Sequence, residues 1–259
     1  MSISLEGKTI LITGASSGIG AATARACAKR GMRCVITARR KEPLQALTND
    51  LGADCTVVVG DVTEDGFNQH LLDVSGDVYA VFVNAGHGLE QTTLQFNLKQ
   101  FQEVFRLNVF AAVELAAQAA KKMVENNSGH LLLCASCLSK FATPSHGAYC
   151  ASKSALEAIA KTMRIELKPN NVFVSSVHPI GTKTEFFDES AKRSGNAQSD
   201  FASQTPSWLM QPPERVANAV VECLRKPKPE VWTSISMRLI STVFGAFPRA
   251  SGPIINRFS

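Results

Sequence analysis

Short apolar runs alternate with amphipathic stretches along most of the chain. Residues 9–13 read Thr-Ile-Leu-Ile-Thr, apolar and rich in β-branching. A run of that length, bounded by turn residues, predicts a buried parallel strand. The stretch from Gly14 to Gly20 breaks it, and a helical pattern follows to Arg30, stopped by Gly31. The alternation then repeats. Strands are expected over 34–37, 56–59, 78–83, 131–134 and 172–177. Helices are expected over 41–51, over 101–126 in an Ala-rich stretch, and over 147–167, where Pro169 ends the pattern. Strands that alternate with helices predict crossover units, hence an α/β fold with a doubly wound, mostly parallel sheet covered by helices on both faces.

After Gly181 the pattern changes. Residues 184–212 are mixed and polar, with Phe186, Phe187, Phe201, Trp208 and Met210 interspersed. This stretch is expected to form a substrate pocket and lid. A further helix is expected over 213–224 and a seventh strand over 230–233. The remainder, 234–259, carries Ile, Leu, Val and Phe with Arg238, Arg249 and Arg257, and reads as an amphipathic extension. No linker or repeat interrupts the chain before about residue 180, so one domain is expected across 1–259.

Composition narrows the class. The 259 residues are 45% hydrophobic and 19% charged, with a formal net charge of +5 and no basic run of the kind that binds nucleic acid. The N-terminus has no charged region followed by an apolar core, so no signal peptide is expected. No apolar run reaches the roughly 18 residues of a membrane span. Seven cysteines follow no regular framework and most sit in apolar contexts, which points to reduced thiols in a cytoplasmic protein. Cys134 and Cys137 form a C-x-x-C spacing, but zinc would need two more ligands at similar spacing and none appear. His146 and His178 flank the candidate site and are expected to be structural. No metal is expected.

Three stretches carry candidate chemistry. Gly14, Gly18 and Gly20 lie between the first strand and the first helix, where a dinucleotide fold cradles phosphate. Glycines admit the backbone to a pyrophosphate, and a helix N-terminus offers unpaired N–H groups. Ser16 and Ser17 are candidate caps and phosphate contacts. At the end of the second strand stand Arg39 and Arg40, with no acid before Glu42. An acid there would hold the ribose 2′-hydroxyl of NAD, whereas cations suit the 2′-phosphate of NADP. Arg39 also suits stacking on adenine. Tyr149 and Lys153 are four residues apart, one turn of a helix face. A fixed ammonium beside a phenol favours phenolate, which makes an acid/base. An ordinary amphipathic helix is the alternative for that pair taken alone.

Read in order, Thr13-Gly14-x-x-x-Gly18-x-Gly20, Asn84-Ala85-Gly86, Asn108, Ser136 and Tyr149-x-x-x-Lys153 resemble the short-chain dehydrogenase/reductase family in its common form of roughly 250 residues. The resemblance covers residues 5–232. It implies a single Rossmann-like domain with a seven-stranded, mostly parallel sheet. It implies a catalytic set in which Tyr149 is the acid/base, Lys153 lowers the phenol pKa and holds the nicotinamide ribose, Ser136 bonds the substrate oxygen, and Asn108 anchors a water that leads protons to the lysine. It places Gly14, Ser16, Ser17, Gly18, Ile19 and Gly20 at the pyrophosphate, Asp61 and Val62 at the adenine, and Asn84, Ala85 and Gly86 under the ribose. Pro179, Ile180, Thr182 and Thr184 fall in the nicotinamide loop. Ile180 stands where that loop has glycine, which predicts a stiffer or reshaped loop.

The expected protein is therefore an NADP(H)-dependent oxidoreductase that moves a hydride between nicotinamide and a ketone or secondary alcohol. The aromatic content after Gly181 suggests an apolar, lipid-like substrate. The long helices imply, by the same resemblance, a homodimer or homotetramer. Peripheral membrane contact by the tail is the lesser reading of that segment. A non-catalytic NADP-binding sensor on the same fold is the alternative function.

Overall fold

A computed structural model describes residues 2–195 and 210–246. Seven strands form one sheet in which every pairing is parallel: β1 (Thr9–Thr13), β2 (Arg33–Ala38), β3 (Cys55–Val59), β4 (Val78–Val83), β5 (Gly129–Cys134), β6 (Val172–His178) and β7 (Glu230–Trp232). Their order across the sheet is β3-β2-β1-β4-β5-β6-β7. The chain therefore builds outward from β1 in one direction, then returns to build β4 on its other side. That reversal opens a crevice at the C-terminal ends of β1 and β4, where such sheets hold ligands.

The central strands β1, β4 and β5 are buried at every residue. One face packs under α1 (Gly18–Ala28), α2 (Lys41–Leu51) and a late helix over Pro213–Arg225. The other packs under α3 (Phe67–Ser75), α5 (Ala112–Glu125) and α6 (Gly147–Leu167), with α4 (Leu98–Phe105) resting against α6. Then α7 (Phe186–Ser194) follows β6, the Pro213–Arg225 helix is α8, and α9 spans Ile235–Ala246. Phe201 and Trp208 of the expected lid, and 247–259 of the expected extension, lie outside the described residues.

Most elements lie within a residue or two of the pattern-based bounds, and three differ. The helix expected over 101–126 begins at Leu98 and is interrupted by a π-helical segment, Arg106–Ala111. Such widened turns re-aim side chains and often mark functional sites, and this one carries Asn108. Two helices were not expected at all. The nine residues of α3 lie between Gly66 and Gly76, both at positive φ, and bury Leu71 and Leu72. In α7, acids in the first turn and cations in the last complement the helix dipole. That helix buries only Ser190 and Ala191, so it has almost no apolar periodicity to read.

One core group predicts a pH dependence. His130 on β5 is buried, its Nε2 paired with Ser175 Oγ at 2.8 Å. Burial pulls its pKa from 6.5 down to about 3. A depressed folded pKa means that the fold requires the neutral ring. The contribution is complete above the unfolded value of 6.5 and is lost as pH falls toward the folded one, by about 1.4 kcal/mol per pH unit. Urea midpoints are expected to fall below pH 6.5, and His130→Gln to flatten that part of the profile. A wild-type midpoint that stays level down to about pH 4 would contradict this.

Candidate active site

The crevice at the strand ends is a cavity of about 630 Å³. Its floor begins at the glycine turn. Gly14 and Gly18 take positive φ, and the space above them is occupied. A Cβ on Gly14 would lie 2.9 Å from Ala85 Cα, and one on Gly18 would lie 2.8 Å from Thr184 Cγ2. Gly20 does not line the cavity. It sits behind the turn, where a Cβ would fall 2.3 Å from Gly14 O. Ser17 is the N-cap residue of α1, yet its side chain makes no capping bond to that helix. Ser16, Gly18 and Ile19 border the cavity beside it.

Asn84 locks the turn to β4. Its Nδ2 donates to Thr13 O at 3.0 Å and to Gly14 O at 3.3 Å, while Thr13 Oγ1 accepts from the N–H groups of Asn84 and Ala85, both at 3.0 Å. Ala85 and Gly86 continue along the wall. Beyond β2 stand Arg39 and Arg40, and beyond β3 stand Asp61 and Val62. Arg39 Nη1 is 3.8 Å from Asp61 Oδ2. Arg40 donates to Ser16 Oγ and, at 2.8 Å, to Glu185 Oε2.

At the other end Ser136, Tyr149 and Lys153 share one wall. Ser136 lies two residues beyond β5 and opens a tight turn, its Oγ accepting from Leu138 N at 3.1 Å. Tyr149 lies in the first turn of α6, its ring 5.4 Å from that of Phe186. The ring is partly exposed to the cavity, but burial pushes its phenol well above the ordinary range, with a hydrogen bond to Ser136 pulling the other way. Lys153 is buried, which pulls its pKa down, and it donates to Cys134 O at 2.7 Å. Its Nζ is 5.8 Å from the Tyr149 ring centre. Desolvation of the hydroxyl dominates in this geometry and works against the lowering by Lys153 that the resemblance implies.

Asn108, like Gly20, lies behind the wall. Its Oδ1 accepts from His87 N at 3.0 Å, and its Nδ2 donates to His87 O at 2.9 Å and Ser152 Oγ at 3.0 Å. A Cβ on Gly86 would sit 2.9 Å from Asn108 Oδ1 and 3.3 Å from Lys153 Nζ. The π-helical segment therefore aims Asn108 at the backbone of the wall, next to the lysine.

Pro179, Ile180, Thr182 and Thr184 close the remaining side. Thr182 Oγ1 donates to Ile180 O at 2.8 Å and accepts from Gln211 Nε2 at 3.3 Å. Ile180 has no positive φ and buries its side chain with Cys137, Leu138 and Cys150 beneath the Ser136 turn. The side chain that replaces glycine is thus a packing contact rather than a source of strain.

His146 lines the cavity and its Nε2 is 3.5 Å from Glu90 Oε1. His178 stacks on Trp232 at 4.5 Å, its Nδ1 3.0 Å from Ser136 O. Glu157, His178 and Glu230 approach one another closely, but the Lys140 ammonium already bridges the two carboxylates. Cys134 and Cys137 are free and buried, and burial pushes the Cys137 thiol up to about 12.

Phe186, named with the expected pocket, does line the cavity, whereas sequence reasoning did not single out His87, Glu185 and Arg193 on the same wall. His87 directly follows Asn84-Ala85-Gly86 and adjacency could have found it. The other two depend on where α7 folds, which its pattern did not reveal. The glycine floor, the cations near Ser16 and the extended wall from Asp61 to Thr184 suit an elongated nucleotide with phosphates. Ser136, Tyr149 and Lys153 offer hydrogen-bond donors at one end of it.

A family model for short chain dehydrogenases matches residues 8–195. The chain is 31% identical over 218 residues to the 3-oxoacyl-(acyl-carrier-protein) reductase FabG of Rickettsia bellii, covering 84% of this chain and 89% of that one. It is 30% identical over 241 residues to the dehydrogenase/reductase SDR family protein 7-like of Drosophila melanogaster, covering 89% and 73%. Among solved structures, the 3-ketoacyl-(acyl-carrier-protein) reductase of Brucella melitensis complexed with NADH is similar at a TM-score of 0.76 and 26% identity, covering 86% of this chain and 93% of that one.

Proposed function

The chain belongs to the short-chain dehydrogenase family, and we propose that it reduces an apolar, lipid-like ketone to a secondary alcohol with NADPH, Tyr149 giving the proton. The observation that carries this reading is the meeting of Ser136, Tyr149 and Lys153 on the wall of a cavity whose other end holds Arg39 and Arg40. When bound, the nicotinamide supplies the hydride. As the carbonyl carbon accepts it, negative charge grows on the oxygen. The Ser136 and Tyr149 hydroxyls are donors for that charge, a preorganised electrostatic role. The phenol's raised pKa keeps its proton through the neutral range, so Tyr149 reaches the reaction as an acid. Lys153 lies near enough to stabilise the phenolate left behind. Asn108 holds the His87 backbone that borders this site.

The Rickettsia relative bears the name of a 3-oxoacyl-(acyl-carrier-protein) reductase, which supports a ketone on an acyl chain. Phe186 beside Tyr149 supports the same class. The chain acts as a single domain in the cytoplasm. Buried free thiols fit a reducing compartment, and no helix among the described residues is long and apolar enough to cross a membrane. Exposed Phe110 in the π-helical segment leading into α5 and exposed Ile165 on α6 support a homo-oligomer built on those helices.

NADPH consumption, followed by fluorescence against a panel of ketones and aldehydes, tests the activity. Tight NADPH binding with no turnover on any of them would overturn it in favour of a binding module. The cofactor preference has its own test. Arg39→Ala with Arg40→Ala is expected to lower kcat/KM with NADPH about 10- to 100-fold, the worth of charge-assisted bonds to a phosphate, and to leave NADH nearly unchanged. Equal losses with both cofactors would remove the 2′-phosphate from the reading.

A further inference from the structure

The end of β2 has no acid of its own, yet both of its cations meet carboxylates from elsewhere. Glu185 is 145 positions from Arg40 in sequence and 2.8 Å from its Nη2 in space. The same guanidinium donates to Ser16 Oγ at 3.2 Å, and the Ser17 hydroxyl, after Arg40, also favours the charged form of the Glu185 carboxylate. Arg40 and two serines of the glycine turn thus build an anion position, and an internal carboxylate fills it.

Its placement follows from the backbone. Thr184 lies over Gly18, so the segment after β6 crosses directly above the turn. Glu185 is the N-cap residue of α7, a position where a short Ser, Thr, Asp or Asn side chain commonly caps the helix. Here the side chain makes no capping bond and faces Arg40 instead.

We infer that Glu185 is a specificity-determining residue for the cofactor: its carboxylate occupies the 2′-phosphate position at Arg40 and Ser16, and a 2′-phosphate must displace it. This rests on the NADP reading of Arg39 and Arg40. A phosphate monoester carries a charge of about −1.5 to −2 and three acceptor oxygens, against one charge on the carboxylate. Both groups match the guanidinium fork, so they compete for it. A ribose 2′-hydroxyl carries no charge and leaves the Arg40–Glu185 pair in place. A carboxylate at this point is also the group that accepts from that hydroxyl in NAD-dependent enzymes. Glu185 therefore weakens binding of the phosphorylated cofactor, spares the other, and narrows the difference between them.

The test is calorimetric titration of the full chain with adenosine 2′,5′-bisphosphate and adenosine 5′-monophosphate, probes that differ in the 2′-phosphate. Glu185→Gln keeps the size and the serine contacts, and the position is exposed. The variant is expected to bind the bisphosphate about five- to tenfold more tightly, from loss of a competitor and of its repulsion. The monophosphate is expected to bind unchanged, and Arg40→Gln in the same chain to abolish the gain. If the wild type prefers the bisphosphate and Glu185→Gln leaves that preference unaltered, this inference falls and the NADP reading stands. If neither protein distinguishes the probes, both fall. A preference that emerges only in Glu185→Gln supports the inference and assigns the native chain to both cofactors.

Discussion

Tyr149→Phe is expected to bind NADPH as the wild type does and to lose turnover by about three orders of magnitude. The substitution removes one oxygen and keeps the ring. The contact with Phe186 therefore survives, and so does the cavity wall. What disappears is the proton donor and one of two hydroxyls near the growing oxyanion. General acid catalysis contributes about 10²- to 10⁴-fold, and one donor to an oxyanion about 10²- to 10³-fold. A thousandfold loss corresponds to about 4 kcal/mol of transition-state stabilisation. Fluorescence titration separates the two effects, because cofactor affinity reports the cavity and single-turnover rate reports the chemistry. Turnover within tenfold of wild type would remove Tyr149 from the acid/base role.

Gly20→Ala is expected to disable the glycine turn more severely than its single methyl suggests. Alanine is the better helix former by about 1 kcal/mol, and Gly20 lies in the helical part of α1 without positive φ. Propensity therefore favours the change. Sterics oppose it more strongly, because the new Cβ would sit 2.3 Å from Gly14 O and 2.9 Å from Asn84 Nδ2. Gly14 O is backbone, and Asn84 is bonded to Thr13 and Gly14, so neither can give way alone. Overpacking of this kind costs about 1–3 kcal/mol. The expected result is a lower melting temperature and at least a hundredfold loss of NADPH affinity. Gly147→Ala is the control, since nothing lies within 4 Å of its Cβ position. Gly20→Ala that melts and binds like wild type would show that the α1 start can shift without harm.

These two variants probe different kinds of legibility. Tyr149 and Lys153 are visible as a four-residue spacing, and helix α6 does run over the residues that spacing predicts. Their electrostatics were not visible. A phenol beside a lysine reads as a lowered pKa. The fold instead directs the ammonium to Cys134 O and desolvates the phenol. Gly20 is visible as a letter in a motif, but the close approach of Gly14 O that requires glycine there exists only once the turn is folded.

The elements divide in the same way. Buried strands and the long helix α6 were read to within a residue or two, because burial of one face writes a period into the sequence. Helix α7 writes almost none, since it buries only Ser190 and Ala191, and with it went Glu185 and Arg193. The π-helical segment around Asn108 was also silent, because a widened turn keeps helical composition and changes only hydrogen-bond register.

By itself the sequence determined the parallel α/β architecture, the glycine turn after β1 and the identity of the candidate groups for the proposed chemistry, since each is written in local pattern or short spacing. Tertiary structure decided which charges face one another. The acid-free end of β2 is acid-free only along the chain. In space Asp61 and Glu185 both reach it, because the topological switch brings the ends of distant strands to a single crevice.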